Sequence, residues 1–284
     1  MANLKDIKGR ITSVKSIKQI TNAMKMVAAA KLRKTQDAVI SARPYSDHID
    51  SMLRVLKKKS FSKHYMFDSI NPVGKELLII VTADRGLSGS FNSSIIRYAQ
   101  RYLDEHPNCD LIFFGRKGYD FFRRFKHYNI IKHFTELADI SSLWELFEIK
   151  EELLTLYKSG KYSSVFAIYN EFKSAIQQNL VHKQIIPVIP HESNEISTTE
   201  YIYEPDEMSL IEDLGIRYIN VHLWRIILES NAAEQGARMT AMENATNNAD
   251  DLIADLSLIY NRERQAQITT QIIEVASGAE AVND

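Results

Sequence analysis

The residues at positions 82–92 are the part of this 284-residue chain whose types and spacing most suggest chemistry. They read TADRGLSGSFN and separate an apolar run at 76–81 from a stretch with helical spacing. A turn with glycines between a strand and a helix can hold phosphate on its backbone N–H groups. The spacing matches neither G-x-G-x-x-G nor the P-loop motif, and Arg85 lies inside the turn. We therefore interpret the segment first as a tight turn that needs its two glycines for backbone reasons.

The other residue types that perform catalysis or bind metals lack partners at useful spacing. They are His127, His133, His182, His191, His222, Cys109, Ser163 and Ser164. The run at 57–59 is three lysines without interleaved aromatic residues, which is typical of a solvated helix end rather than a nucleic-acid site. We therefore expect no catalytic, cofactor or metal site and no nucleic-acid partner.

In the middle of the chain, apolar runs typical of strands alternate with segments in which apolar residues have helical spacing. Apolar runs at 76–81, 110–115, 129–134 and 165–172 and around 182–190 predict strands, and the segments at 93–103, 119–125 and 143–160 predict helices. Gly160 is expected to end the last of these helices. The alternation predicts a central, Rossmann-like α/β domain.

Two long segments flank this domain. No glycine or proline occurs between Gly9 and Pro44, and no proline follows Pro205, so both ends allow long helices. A helix over 207–276 would be roughly 105 Å long at 1.5 Å per residue, which favours a coiled coil over a globular bundle. The charges agree with pairing. Residues 1–64 carry 15 basic and 4 acidic side chains, a net +11, and residues 200–284 carry 5 and 16, a net −11.

Heptad spacing predicts which faces of the two helices meet. In the C-terminal segment, alternating steps of three and four from Ile211 reach mostly apolar or small residues as far as Tyr260. In the N-terminal segment the series through Leu4 and Val14 breaks and restarts at Ile17, Ile20, Met24 and Val27. This break predicts a stammer that overwinds the helix.

These patterns predict an α/β fold plus a long antiparallel α-helical coiled coil formed by the N- and C-terminal segments. The expected domains are an N-terminal coiled-coil helix at 1–60, the α/β domain at 74–192, and a C-terminal helix at 206–280 that pairs with 1–60. A single cysteine and the lack of a targeting segment favour a reducing, cytoplasmic compartment.

The two terminal segments and the turn resemble the gamma subunit of F-type ATP synthases. The resemblance rests on IKQIT at 17–21, AMKMVA at 23–28, DRGL at 84–87, MTAMENATNNA at 239–249 and NRERQAQIT at 261–269, and it covers the whole chain. It implies a non-catalytic rotor shaft that couples ion-driven rotation of the membrane c ring to ATP synthesis or hydrolysis at the beta subunits.

The resemblance also implies partners and contact residues. The partners would be three alpha and three beta subunits, the epsilon subunit and the c ring, with the chain peripheral to the cytoplasmic face of a bacterial plasma membrane. The residues implied to contact the beta subunits are Met24, Lys25, Glu234, Arg238, Arg264, Gln265 and Thr269.

Two departures from the family pattern bear on these contacts. An acidic residue is expected after the terminal Thr-Gln, where this chain has Thr269, Thr270 and Gln271, so a charged contact is missing there. Ser90 replaces the second of two paired glycines in the turn.

Two other functions remain open from the residues alone: a nucleotide-binding enzyme built on 76–105, and a nucleic-acid-associated coiled coil built on the basic N-terminal arm.

Overall fold

The computed structural model describes residues 4–59, 63–137, 146–188 and 206–283. Among them are five helices: α1 (Leu4–Lys59), α2 (Phe91–Glu105), α3 (Arg116–Phe122), α4 (Phe147–Lys158) and α5 (Glu207–Asn283). The strands are β1 (Lys75–Val81), β2 (Cys109–Phe114), β3 (Asn129–Phe134), β4 (Tyr162–Phe172) and β5 (Gln178–Ile186). The predicted fold class, an α/β domain with two long terminal helices, is confirmed.

The five strands form one sheet in the order β3-β2-β1-β4-β5. β1 pairs in parallel with β2 and β4, and β2 with β3, whereas β4 and β5 are antiparallel. All six residues of β2 are buried, as are Leu77 to Val81 of β1. Burial on both faces explains why these two strands read as continuous apolar runs without alternation.

The chain forms two compact units. One comprises Met1–Ala28 and Met239–Asp284, and the other comprises Ala29–Arg238. The second unit contains the sheet and the main hydrophobic core, in which Leu53, Tyr157, Ile219 and Leu223 are almost completely buried. The division into 1–60, 74–192 and 206–280 stays a prediction.

α1 continues through Pro44, at the edge of the segment where the prolines and glycines concentrate. Proline removes one helical N–H and usually kinks or ends a helix. Contacts of the flanking residues with other elements favour continuation here. Arg43 bonds to Glu229 of α5, and Ser46 accepts a hydrogen bond from Arg225 Nη1 at 2.7 Å.

The predicted stammer in α1 is wrong. Up to Ala28, the buried and half-buried positions contain an unbroken heptad series: Leu4, Ile7, Ile11, Val14, Lys18, Thr21, Lys25 and Ala28. Met24, beside Lys25, is also half-buried. Ile17, Ile20 and Val27, which the stammer would have placed in the seam, are 52, 59 and 58% exposed. Polar residues interrupt the apolar series because each has a partner on α5, as described below.

Candidate partner-binding site

The helix pair of the first unit is joined by polar contacts that alternate with its apolar layers. Lys18 Nζ lies 2.5 Å from Asp250 Oδ1, and Lys25 Nζ lies 2.5 Å from Glu243 Oε1. Between these ion pairs the hydroxyls of Thr21 and Thr246 lie 2.8 Å apart. Residue numbers rise on α1 while they fall on α5, so the two helices are antiparallel here.

The outward faces of this helix pair are rich in exposed apolar side chains. On α1, Met24 is half-buried and Met26 is 64% exposed, beside the exposed Ile17, Ile20 and Val27. On α5 the exposed apolar residues include Leu252, Leu258, Ile259, Ile268, Ile272, Ile273 and Val275. Exposed apolar side chains that group into a patch mark interaction sites in soluble proteins.

The C-terminal candidates Arg264, Gln265 and Thr269 lie on an exposed stretch of α5. Thr269 Oγ1 donates to the carbonyl oxygen of Gln265 at 2.9 Å, so its hydroxyl is bonded within the helix. The Thr270 hydroxyl likewise bonds the carbonyl oxygen of Ala266 at 3.0 Å. Arg264 offers an exposed guanidinium fork on this stretch, which suits carboxylates and carbonyls on a partner.

Glu234 and Arg238 have a different environment, because both are largely buried. Arg238 Nη2 donates to Glu234 Oε1 at 2.5 Å and to the carbonyl oxygen of Gly86 at 3.2 Å. Burial raises the pKa of Glu234, and the charge of Arg238 opposes that rise. This pair binds the turn at 84–87, one of the motifs that carried the family resemblance, to α5.

The turn itself is held by Asp84 rather than by its glycines alone. Asp84 Oδ1 accepts the backbone N–H of Arg116 at 3.0 Å, and Oδ2 accepts that of Glu136 at 2.9 Å. Gly89 has a φ of 56°, as predicted for a turn glycine, but the second positive φ, 64°, belongs to Leu87 and not to Gly86. Ser90 has a φ of −84°, which any residue adopts, so the missing second glycine costs the turn nothing.

Little space remains between this turn and α5. A cavity of about 30 Å³ is lined by residues that include Thr82, Asp84, Gly115, Ser230 and Glu234. A cavity of this volume has room for about one or two water molecules. In open α/β sheets this crevice, outside the carboxyl ends of the parallel strands, is where ligands bind.

Sequence spacing missed a buried chain of charges between α1, β5 and α5. His222 Nε2 donates to Asp50 Oδ1 at 2.8 Å, and His222 Nδ1 accepts from Lys183 Nζ at 3.2 Å. An acceptor-only carboxylate on one side and a donor-only ammonium on the other fix the neutral tautomer. Burial lowers the pKa of His222 and also that of Lys183. Positions 50 and 222 are too far apart in sequence for any motif to connect them.

Across the described ranges, no three His, Cys, Asp or Glu side chains come together as a metal site. Within the same ranges, no helix is long and apolar enough to cross a membrane.

Comparison with known proteins covers nearly the whole chain. The family model described as ATP synthase matches residues 3–282. The ATP synthase gamma chain of Prosthecochloris aestuarii is 44% identical, with 99% of both chains covered. That of Geobacter sp. strain M21 is 42% identical, again with 99% of both covered.

Solved structures agree on the fold. A chain in the central stalk and c-ring structure of the Tetrahymena thermophila mitochondrial ATP synthase is 26% identical, with a TM-score of 0.60 over 80% of this chain and 99% of that one. A chain of the Euglena gracilis mitochondrial ATP synthase is 20% identical and reaches a TM-score of 0.72 over 98% of this chain and 94% of that one. The predicted resemblance is confirmed, and the chain belongs to the ATP synthase gamma chain family.

Proposed function

We propose that this chain is the non-catalytic central shaft of an F-type ATP synthase. It transmits ion-driven rotation of the c ring to three alpha and three beta subunits, with epsilon bound to the same rotor. Family membership supports the role, and it fits a protein peripheral to the cytoplasmic face of a bacterial plasma membrane.

The observation that carries the proposal is a difference between the two sides of the first unit's helix pair: the inner seam has polar contacts, and the outer side has exposed apolar residues. Ion pairs and a hydroxyl contact hold the inner seam, from Lys18–Asp250 to Lys25–Glu243, while apolar residues such as Ile20 and Leu252 lie exposed outside. Exposed Met and aliphatic side chains make adaptable contacts that can slide over several surroundings. A shaft that contacts three equivalent subunits in turn needs such a surface. It can shift the conformational equilibrium of each beta subunit only through differences in contact energy between its orientations.

The seven candidate contact residues divide into three groups on this proposal. Arg264, Gln265 and Thr269 are exposed, and with Met24 they would touch the beta subunits directly. Glu234 and Arg238 are largely buried, so they would act by holding the turn at 84–87 in place beside α5. Lys25 would contribute from its ion pair with Glu243, which leaves its side chain 35% exposed.

An enzymatic function built on the strand–turn–helix at 76–105 has less support. Two N–H groups of this turn already have partners, because that of Ala83 donates to Asn92 Oδ1 at 2.9 Å and that of Phe91 donates to the carbonyl oxygen of Ser88 at 3.2 Å. The crevice at this edge of the sheet has a volume of only about 30 Å³. A bound drug-sized ligand requires roughly 300 Å³ or more.

The deciding experiment is ATP hydrolysis by alpha and beta subunits purified with and without this chain. We expect stable co-purification, strong activation of hydrolysis, and no hydrolysis by the chain alone. Absence of association, or hydrolysis by the chain alone, would overturn the proposal.

A further inference from the structure

A groove lies between β3, the end of α3 and the turn that connects them. It is lined by Tyr119, Arg123, Phe125, Lys126, Tyr128 and the strand segment 129–133, and its volume is about 390 Å³. We call it the β3-edge groove. Five consecutive residues of one strand line it, so the strand's backbone forms one wall.

The sheet order makes that backbone available. β3 is the first strand of the order β3-β2-β1-β4-β5, and among the described residues no strand pairs with its outer side. The register with β2 shifts by one residue at Ile131, between the pairs Leu111–Ile130 and Ile112–Lys132. An edge strand presents unpaired N–H and C=O groups, which are a template for another strand.

The surroundings of the groove are strongly basic. Residues 116–133 contain six Lys and Arg and one acidic residue, Asp120, for a net +5. Asp120 is taken by two of those cations, lying 3.4 Å from Arg116 Nε and 3.1 Å from Arg123 Nη2. Lys126 is exposed at the rim, and Lys132 pairs with Glu152 of α4.

Aromatic contacts make part of the rim rigid. The rings of Tyr119 and His133 are stacked, with centroids 3.9 Å apart and planes at 9°. The Arg123 guanidinium lies over the Tyr119 ring at 5.5 Å. These contacts connect α3 to β3 and orient cations beside the open strand edge.

We propose that the β3-edge groove is a docking site for an extended, acidic segment of a partner polypeptide, which adds a strand to β3. Five strand residues span about 16 Å, a length that suits a peptide strand. Symmetric pairing of two β3 edges is disfavoured, because two basic grooves would repel each other.

The test uses the purified full-length chain and a fluorescein-labelled hexapeptide, Glu-Val-Glu-Val-Glu-Val. Fluorescence anisotropy measures its binding, and hydrogen exchange measures protection of the backbone amides at 129–133. The matched probe Glu-Pro-Glu-Pro-Glu-Pro has the same charge but lacks N–H groups at alternate positions. We expect the first peptide to bind and protect these amides, and the proline peptide to bind at least about tenfold more weakly.

Two exposed lysines provide the matched variants. Lys126→Glu reverses a charge at the groove and should weaken binding of the first peptide about tenfold. Lys173→Glu reverses a charge on the connection between β4 and β5 and should change binding less than about twofold.

Each contrary result overturns the proposal in a distinct way. Equal binding of the two peptides would mean that attraction between charges is sufficient without strand addition. An unaffected Lys126→Glu variant would mean that the peptide does not bind at this groove. Binding of ATP or of anionic lipid vesicles in the groove without binding of the peptide would assign it to a phosphate-bearing ligand. Absence of all binding would leave the groove without a docking role. None of these results depends on whether the chain works as a rotor.

Discussion

Arg43 of α1 and Glu229 of α5 form a two-pronged ion pair inside the second unit. Arg43 Nε donates to Glu229 Oε1 at 2.9 Å, and Nη2 donates to Oε2 at 3.1 Å. The same Nη2 reaches the carbonyl oxygen of Phe172, and the N–H of Phe172 donates back to Glu229 Oε2. One fully buried carboxylate thus connects both long helices to β4.

Arg43→Ala should lower the free energy of unfolding of the second unit by about 3 kcal/mol, because it leaves Glu229 buried with its main partner removed. Arg225 Nε, at 3.8 Å, keeps part of the compensation. Urea unfolding followed by tryptophan fluorescence measures the loss. The double variant Arg43→Met with Glu229→Gln should recover much of the stability, since it leaves no buried charge unpaired. If the single variant were as stable as the wild type, the ion pair would be unimportant.

The corrected seam of α1 can be tested with two isoleucines on different faces. Ile7 is 4% exposed and Ile20 is 59% exposed. Ile7→Ser should cost about 2–5 kcal/mol by removing buried apolar surface, whereas Ile20→Ser should cost less than about 0.5 kcal/mol. Thermal unfolding followed by circular dichroism compares the two. Similar losses for the two variants would restore the stammer predicted from spacing, because that prediction places both isoleucines in the seam.

The buried His222 should make stability depend on pH. Burial lowers its pKa below the ordinary 6.5, so the unfolded chain binds a proton at higher pH than the folded chain. The contribution is therefore complete above about pH 6.5 and is lost as the pH falls through the folded-state pKa. Its charged and titratable neighbours are Asp50 on α1, Lys183 on β5, and Tyr218 and Arg225 on α5.

His222→Gln should flatten the loss of unfolding free energy between pH 7.5 and pH 5, measured by urea titration at several pH values. His48, an exposed residue of α1, supplies the control variant His48→Gln, which should keep the wild-type slope. An unchanged slope in His222→Gln would mean that other groups cause the pH dependence.

Arg264→Ala should separate partner contact from folding. Arg264 is exposed, so the free energy of unfolding should change by less than about 0.5 kcal/mol. Loss of its guanidinium fork should weaken activation of hydrolysis by the reconstituted complex of alpha, beta and this chain. Lys173→Ala, another exposed cation, serves as the matched control and should leave activation unchanged. If Arg264→Ala instead unfolded the chain, Arg264 would have a structural role.

The amino-acid sequence determined the elements of this protein and their type. The apolar run before Thr82 forms β1, and NIIKHF at 129–134 forms β3. Gly160 follows the end of α4 and has a φ of 75°. Hydrophobic period and glycine placement are local properties, so they can be read from neighbouring residues. The exposed candidates Arg264 and Gln265 were also identified from local motifs, although their partner contacts stay proposals.

Only the tertiary structure decided which residues meet. Lys18, Thr21 and Lys25 lie in the seam of α1 because each has a polar partner on α5. These partners are more than 200 residues away in sequence. From periodicity alone these polar residues look like interruptions of the seam, because burying an unpaired polar group is unfavourable. Local spacing does not show that each of them has a partner. For the same reason the sequence did not predict the contact of His222 with Asp50 or that of Arg238 with Gly86. The physical cause is common to all three cases: pairing depends on how distant segments pack, and local period carries no information about that register.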